Sequence, residues 1–214
     1  MEKDTGRVEA FSDGVFAIAI TLLILEIRVP EIEGVASNGQ LFAALLRAWP
    51  SLVAFLFSFF VILVMWMNHH EFMRWVRTAG DYPFFFANGL VLLMVTFVPF
   101  PTAVLARYLG TGAERAAVAF YCGTFVCISF AFNVLLFSVA HKRRLVRPEV
   151  PDTVLRQVRR AYGVSPAVYA VSVALALGSA SAGLLLCASL WLVWTRLCYR
   201  PDREREPAPA RVVV

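Results

Sequence analysis

The sequence is poor in charged residues: only 16% of its 214 residues are Asp, Glu, Lys or Arg, whereas 59% are hydrophobic. A soluble domain normally carries about 25% charged residues, so this composition excludes a soluble globular protein. A membrane-spanning helix needs roughly 20 apolar residues. The chain therefore has room for about six such helices and for no separate soluble domain.

Other common functional signatures are also missing. The four cysteines fall within or beside apolar segments and show neither zinc-ligand spacing nor a disulfide framework. No pairing of serine, cysteine or carboxylate residues suggests catalysis, so we expect neither an enzyme nor a bound cofactor. The first apolar run ends at Pro30 without a small-residue cleavage site, so we expect no cleaved signal peptide.

The apolar segments predict an all-α protein with six transmembrane helices in one membrane domain, residues 1–200. The predicted helices lie at about 8–29, 49–70, 83–101, 116–140, 164–181 and 182–199. The last two form one apolar stretch that small residues at 178–183 interrupt, which indicates a tight hairpin turn. The proline-rich, charged tail, 201–214, is expected to be disordered and cytoplasmic.

Lysine and arginine are distributed asymmetrically between the two ends of these helices. An even number of spans places both termini on one side, and that side collects all but four of the 20 Lys and Arg residues. The exceptions are Arg28, Arg47, Arg107 and Arg115. The positive-inside rule therefore predicts cytoplasmic termini in a cell inner (plasma) membrane. The basic loop 142–160, which includes a capped helix starting near Asp152, is expected to contact anionic lipid and not nucleic acid.

The first helix has an unusual charge pattern. Its uninterrupted apolar core runs only from Gly14 to Leu25, between Asp13 and Glu26. This run is well short of the ~20 residues that a lipid-facing span needs. Ionisable groups at such depth usually mark an ion or substrate path, so we expect the first helix to carry the function.

Topology brings several polar residues to one depth near the inner interface. These residues are Arg7, Asp13, Asn68, His69, His70 and Asn88. One interpretation is a hydrogen-bonded network that holds helix 1 against helices 2 and 3, with Asp13 as the anionic acceptor. Another is a histidine that senses pH or relays protons. No metal site is predicted, because adjacent histidines point about 100° apart on a helix and cannot readily share one ion.

Opposite Asp13, helix 1 carries a candidate pore-lining stripe. At about 100° per residue, Ile18, Leu22 and Leu25 fall on one face. Phe11 and Arg7 extend this face toward the cytoplasm, and Thr21 lies at its edge. One possible role of the stripe is to meet its own copies around a symmetry axis. However, nearly every position from 14 to 25 is apolar, so the sequence pattern alone leaves the pore-lining role open.

Two motifs resemble the signature of the transmembrane protein 175 family of potassium channels. The first is Arg7-x-x-x-Phe11-Ser12-Asp13, followed by the apolar run to Glu26. The second is Trp66-x-x-His69-His70-x-Phe72 on helix 2. Because the chain has one six-helix unit, it resembles the prokaryotic members, and this resemblance implies a homotetramer with helix 1 lining a central pore.

The resemblance also implies roles for individual residues. Ile18, Leu22 and Leu25 would form a hydrophobic constriction, with Thr21 as a nearby polar layer. Arg7, Phe11, Ser12, Asp13, Asn68, His69 and His70 would form the network that anchors helix 1. No Thr-Val-Gly-Tyr-Gly filter sequence is present, so discrimination would depend on pore width and dehydration.

The sequence thus predicts a potassium-preferring cation channel whose permeant ion is K⁺ and whose partners are its own copies and membrane lipids. Two alternatives remain open at this point. The first is a proton-conducting or proton-coupled transporter that uses His69 and His70. The second is a membrane scaffold without a pore.

Overall fold

The computed structural model describes residues 5–32, 37–78, 82–141 and 145–199, and within these ranges it contains α-helices and no β-strand. The all-α prediction is therefore confirmed. The elements are α1 (Thr5–Leu22), a 3₁₀ turn (Leu23–Glu26), α2 (Asn38–Arg47), α3 (Trp49–Trp75), α4 (Tyr82–Phe97), α5 (Pro99–Tyr108), α6 (Glu114–Ala140), α7 (Asp152–Gly178) and α8 (Ala180–Tyr199). The predicted tail, 201–214, lies outside the described residues.

Five helical segments of the described chain are long and apolar enough to cross a membrane. They are Thr5–Glu26, Trp49–Trp75, Tyr82–Tyr108, Glu114–Ala140 and Asp152–Gly178. They correspond in order to the first five predicted spans, so the chain is a multi-pass membrane protein. The sixth predicted span corresponds to α8, whose apolar part, Ala180–Thr195, is shorter. The count of six spans stays a prediction.

The third span continues beyond its predicted end at residue 101. The helix is interrupted at Val98, between α4 and α5, and the span runs on to Tyr108. Pro99 and Pro101 lack the backbone N–H that would continue the hydrogen-bond ladder, and this is why α4 ends at Phe97. Proline is favoured in the first turn of a helix, so the same residues begin α5.

The fifth span begins twelve residues before its predicted start at 164, because the basic interfacial helix and the apolar span form one helix, α7. Pro166 lies inside this helix and leaves the carbonyl oxygen of Tyr162 without its usual donor. Two side chains replace that donor. Asn133 Nδ2 on α6 and Ser165 Oγ each donate to Tyr162 O at 2.7 Å. In lipid, backbone groups that proline leaves unpaired must find partners inside the protein.

The predicted hairpin between the last two helices is present, with its break at Ser179. Gly183 allows α8 to approach α7 closely. A Cβ at this position would lie 2.6 Å from Ala176 Cβ and 2.9 Å from Ser172 O. Small residues at such crossings are typical of helix packing in membranes.

The core of the fold is organised around α6. More than half of its apolar window is buried, compared with at most 39% for the other long spans. A buried hydroxyl chain joins α6 to α3 and α5: Tyr121 Oη lies 2.8 Å from Ser58 Oγ, which lies 2.6 Å from Thr102 Oγ1. Thr102 Oγ1 donates to Val98 O at 2.8 Å, at the interruption between α4 and α5. No periodic pattern in the sequence predicted this polar chain.

Helix α2 is a further element that hydropathy did not predict. Its N-terminus is a capping box, in which Ser37 Oγ accepts from the Gln40 backbone N–H and Gln40 Oε1 accepts from the Ser37 backbone N–H. None of its residues is buried within the chain. An amphipathic helix of this kind is suited to an interface.

Candidate pore helix and its anchoring network

Helix α1 has two chemically different faces. Ser12, Phe16, Ala19 and Leu23 are buried against the bundle. The aliphatic stripe predicted from the sequence is on the other side: Ile18, Leu22 and Leu25 are 60%, 44% and 69% exposed. Phe11, at 66% exposure, lies on the same side. Within the described part of the chain, the stripe is therefore uncovered.

The buried face is anchored by a chain of hydrogen bonds across three helices. His69 Nε2 on α3 lies 2.8 Å from Asn88 Oδ1 on α4, and Asn88 Nδ2 donates to Ser12 Oγ on α1 at 3.1 Å. Ser12 Oγ donates to Val8 O at 2.8 Å. Because an amide oxygen can only accept, Nε2 of His69 must carry the proton. All three side chains are buried, so water does not compete for these hydrogen bonds.

A second contact holds the same part of α1. Trp66 Nε1 on α3 donates to Asp13 Oδ1 at 2.8 Å. Asp13 is the acceptor, as the sequence predicted, but its donor is an indole N–H and not a histidine. Hydrogen bonds to an ionised acceptor are roughly twice as strong as neutral ones, so this contact fixes the depth at which α1 meets α3.

The two adjacent histidines diverge, as helical geometry requires. Whereas His69 points to α4, Nδ1 of His70 lies 3.0 Å from Glu9 Oε1 on α1. The ring of His70 also packs against that of Trp66, with centroids 5.6 Å apart. Glu9 was not among the predicted site residues. The sequence does contain a signal for Glu9: it precedes Asp13 by four residues, so the two carboxylates share one face of the helix.

Two predicted network residues are not brought to this cluster. Asn68 lies on the other side of α3, where its Nδ2 donates to Val64 O at 2.8 Å and it lines a cavity with Tyr162 and Phe125. Arg7 is exposed and makes no ion pair with any residue in the described part of the chain. Asn68 differs from His69 by one position, and a rotation of about 100° directs it away from α1.

Thr21 lies on the exposed side of α1, and its Oγ1 donates to Ile18 O at 2.8 Å. The hydroxyl proton is therefore committed to the backbone, and the oxygen lone pairs are left for other partners. The helix tightens into a 3₁₀ turn directly after Leu22.

Comparison with known proteins places this geometry in a family. The sequence profile described as Endosomal/lysosomal potassium channel TMEM175 matches residues 7–99, a range that contains the whole anchoring network. The chain is 48% identical over 174 residues to "Potassium channel Cha6605_3372" of Chamaesiphon minutus, covering 81% of this chain and 85% of that protein. The chain belongs to the TMEM175 family. The resemblance seen in the sequence is confirmed.

Structural similarity extends over nearly the whole chain. A crystal structure of a lysosomal potassium-selective channel TMEM175 homolog from Chamaesiphon minutus superposes with a TM-score of 0.80 at 42% identity, covering 91% of this chain and 98% of that one. A TMEM175 relative from Rattus norvegicus, named an endosomal/lysosomal proton channel, is 36% identical over 152 residues. That match covers 67% of this chain and 30% of the relative.

Proposed function

We propose that this protein is a potassium-preferring cation channel in which four copies of the chain surround a pore lined by α1. Its bacterial relative is named a potassium channel, and the solved homolog is described as potassium-selective. The proposed location is a cell inner membrane, with both termini cytoplasmic, as the charge asymmetry predicts. A channel family is not a family of enzymes, and we propose no catalytic activity, cofactor or nucleic-acid partner.

The observation that carries the proposal is the division of α1 into an anchored polar face and an uncovered aliphatic face. Ser12 and Asp13 are hydrogen-bonded to α4 and α3, whereas Ile18, Leu22 and Leu25 are exposed. One helix cannot enclose a pore, so the stripe needs closed cyclic symmetry to function. Anchoring Asp13 to the bundle directs the stripe away from it and toward such an axis.

The proposed constriction works without a carbonyl filter. In the tetramer, Ile18, Leu22 and Leu25 form three rings of four side chains each. These rings make a dry, narrow passage that an ion enters only by shedding water, and such a passage closes by dewetting. K⁺ loses its hydration water more readily than Na⁺, so width and dehydration favour K⁺. Thr21 supplies the oxygen layer next to Ile18. This mechanism produces modest selectivity, since few polar ligands replace the lost water.

Proton conduction is a second candidate, because the rat relative is named a proton channel. The buried chain from His69 to Ser12 is the obvious route. However, Asn88 lies between these residues, and an amide does not readily accept a proton and pass it on. The structure therefore favours an anchoring role for His69 over proton transfer.

Flux from purified protein in liposomes tests the proposal. An outward K⁺ gradient should drive a K⁺ flux that is several-fold larger than the Na⁺ flux under the mirrored gradient, and native mass measurement in detergent should give four chains. A proton current that persists after K⁺ is removed would establish the second candidate. Absence of any flux, or flux from a monomer, would contradict the pore.

A further inference from the structure

Three metal-ligating side chains converge between the start of α1 and the end of α3. Glu9, Asp13 and His70 place one ligand atom each within 4.8 Å of one another. Each residue is partly buried. The two carboxylates are four residues apart and therefore share one face of α1, while the imidazole comes from α3. This cluster differs from the adjacent pair His69 and His70, which helical geometry excludes as a shared metal site.

The histidine nitrogen in this cluster lacks a hydrogen bond. Nδ1 of His70 is shielded from solvent and has no hydrogen-bond partner among the described residues, although Glu9 Oε1 lies 3.0 Å away. Trp66 occupies only one oxygen of Asp13. A nitrogen without a hydrogen bond and carboxylate oxygens thus face one another, and a bound cation would stabilise this arrangement.

We propose that Glu9, Asp13 and His70 form a binding site for a divalent transition-metal ion such as Zn²⁺. One imidazole nitrogen and two carboxylate oxygens are a ligand set that zinc accepts, with water as a fourth ligand. The nitrogen disfavours Mg²⁺ and Ca²⁺, which take oxygen ligands. Because the ligands come from two helices, the ion joins α1 to α3. This binding site does not depend on the proposed channel function.

Trp66 supports the site from outside the ligand set. Its N–H orients Asp13, and its ring packs against His70. Hydrogen bonds to ligating carboxylates and packing against ligating imidazoles are usual around metal sites. Arg74, one turn after His70 on α3, pairs with Glu71 at 3.0 Å and not with the cluster.

Zinc binding to the metal-stripped full-length protein in detergent tests this proposal without any flux measurement. Isothermal titration with ZnCl₂ should show one saturable site per chain. Glu9→Gln and His70→Asn, which alter different helices, should each weaken binding by at least about tenfold. The matched control His141→Ala, at a histidine outside the cluster, should bind as the wild type does. Zn²⁺ should also raise the melting temperature of the wild type more than that of either variant.

Two results would overturn the proposed metal site. Zinc binding that is equal in the wild type, Glu9→Gln and His70→Asn would assign the ion to the cysteines or to the surface and overturn the proposal. Absence of saturable binding would overturn it as well, and would leave Nδ1 of His70 in contact with Glu9 alone. If His70→Asn fails to fold, Glu9→Gln decides, because it keeps the size of the side chain. None of these outcomes depends on whether the chain conducts K⁺.

Discussion

The indole nitrogen of Trp66 donates to Oδ1 of Asp13 at 2.8 Å, and the same indole ring packs against His70, one turn further along α3. One side chain thus fixes the carboxylate of the first family motif and positions a histidine of the second. The two motifs are separate in sequence, but they are two halves of one contact between α1 and α3.

Trp66→Phe should lower the stability of the protein, because it removes the donor and leaves a partly buried carboxylate oxygen unpaired. A hydrogen bond to a charged group contributes about 1.5–3 kcal/mol. The thermal midpoint of the purified protein in detergent measures the change. Asp13→Asn should cost less than Trp66→Phe, since an amide oxygen still accepts from the indole.

A double-mutant cycle of Trp66→Phe, Asp13→Ala and the double variant separates this contact from general packing effects, because alanine removes the acceptor altogether. If the two residues interact as described, the double variant should lose less stability than the sum of the two single losses. Simple additivity would show that the Trp66–Asp13 hydrogen bond does not contribute to holding α1.

Asn133→Leu should destabilise the contact between α6 and α7, because Asn133 replaces the backbone donor that Pro166 lacks. The expected loss is about 1 kcal/mol, since Ser165 still donates to the same carbonyl. Pro166→Ala provides a matched test. This substitution restores a backbone N–H at position 166, which can donate to Tyr162 O. Asn133→Leu should therefore cost much less stability in that background. An equal cost in both backgrounds would contradict this role of Asn133.

The sequence predicted much of the fold but less of the anchoring network. Long apolar runs specify membrane helices because lipid leaves the backbone few alternatives. The partners of Asp13 could not be read in the same way. Helix α3 is apolar on every side, so no periodicity distinguishes the direction of Trp66 from that of Asn68. Helix α2 was missed because hydropathy detects spans, whereas the capping box at Ser37 and Gln40 was its only local signal.

Gly183→Val should disrupt the α7–α8 hairpin, because the added side chain would collide with Ala176 and with the backbone of Ser172. Overpacking of this kind costs about 1–3 kcal/mol. Gly123→Ala on α6 is the control, since nothing lies within 4 Å of a Cβ there, and it should leave the thermal midpoint unchanged or slightly raised. Equal midpoints for Gly183→Val and the wild type would show that the helices separate easily.

Ile18→Asn tests the proposed constriction most directly. If four Ile18 side chains form a dry ring, the substitution wets the ring and offers oxygen ligands to any cation, which removes the dehydration barrier. Conductance in planar bilayers should rise, and the preference for K⁺ over Na⁺ should fall. Leu22→Asn and Leu25→Asn should act in the same direction with smaller effects, if they line wider parts of the pore.

Ala19→Asn is the matched control for this experiment. Ala19 neighbours Ile18 in sequence but is buried against the bundle, about 100° around the helix. The same side chain introduced there should lower the thermal midpoint and leave ion preference unchanged in the protein that still assembles. Reversal potentials in mixed K⁺ and Na⁺ distinguish the two variants. Identical reversal potentials for wild type and Ile18→Asn would place the selective barrier elsewhere, because a ring that sets the dehydration cost must change selectivity when it becomes polar.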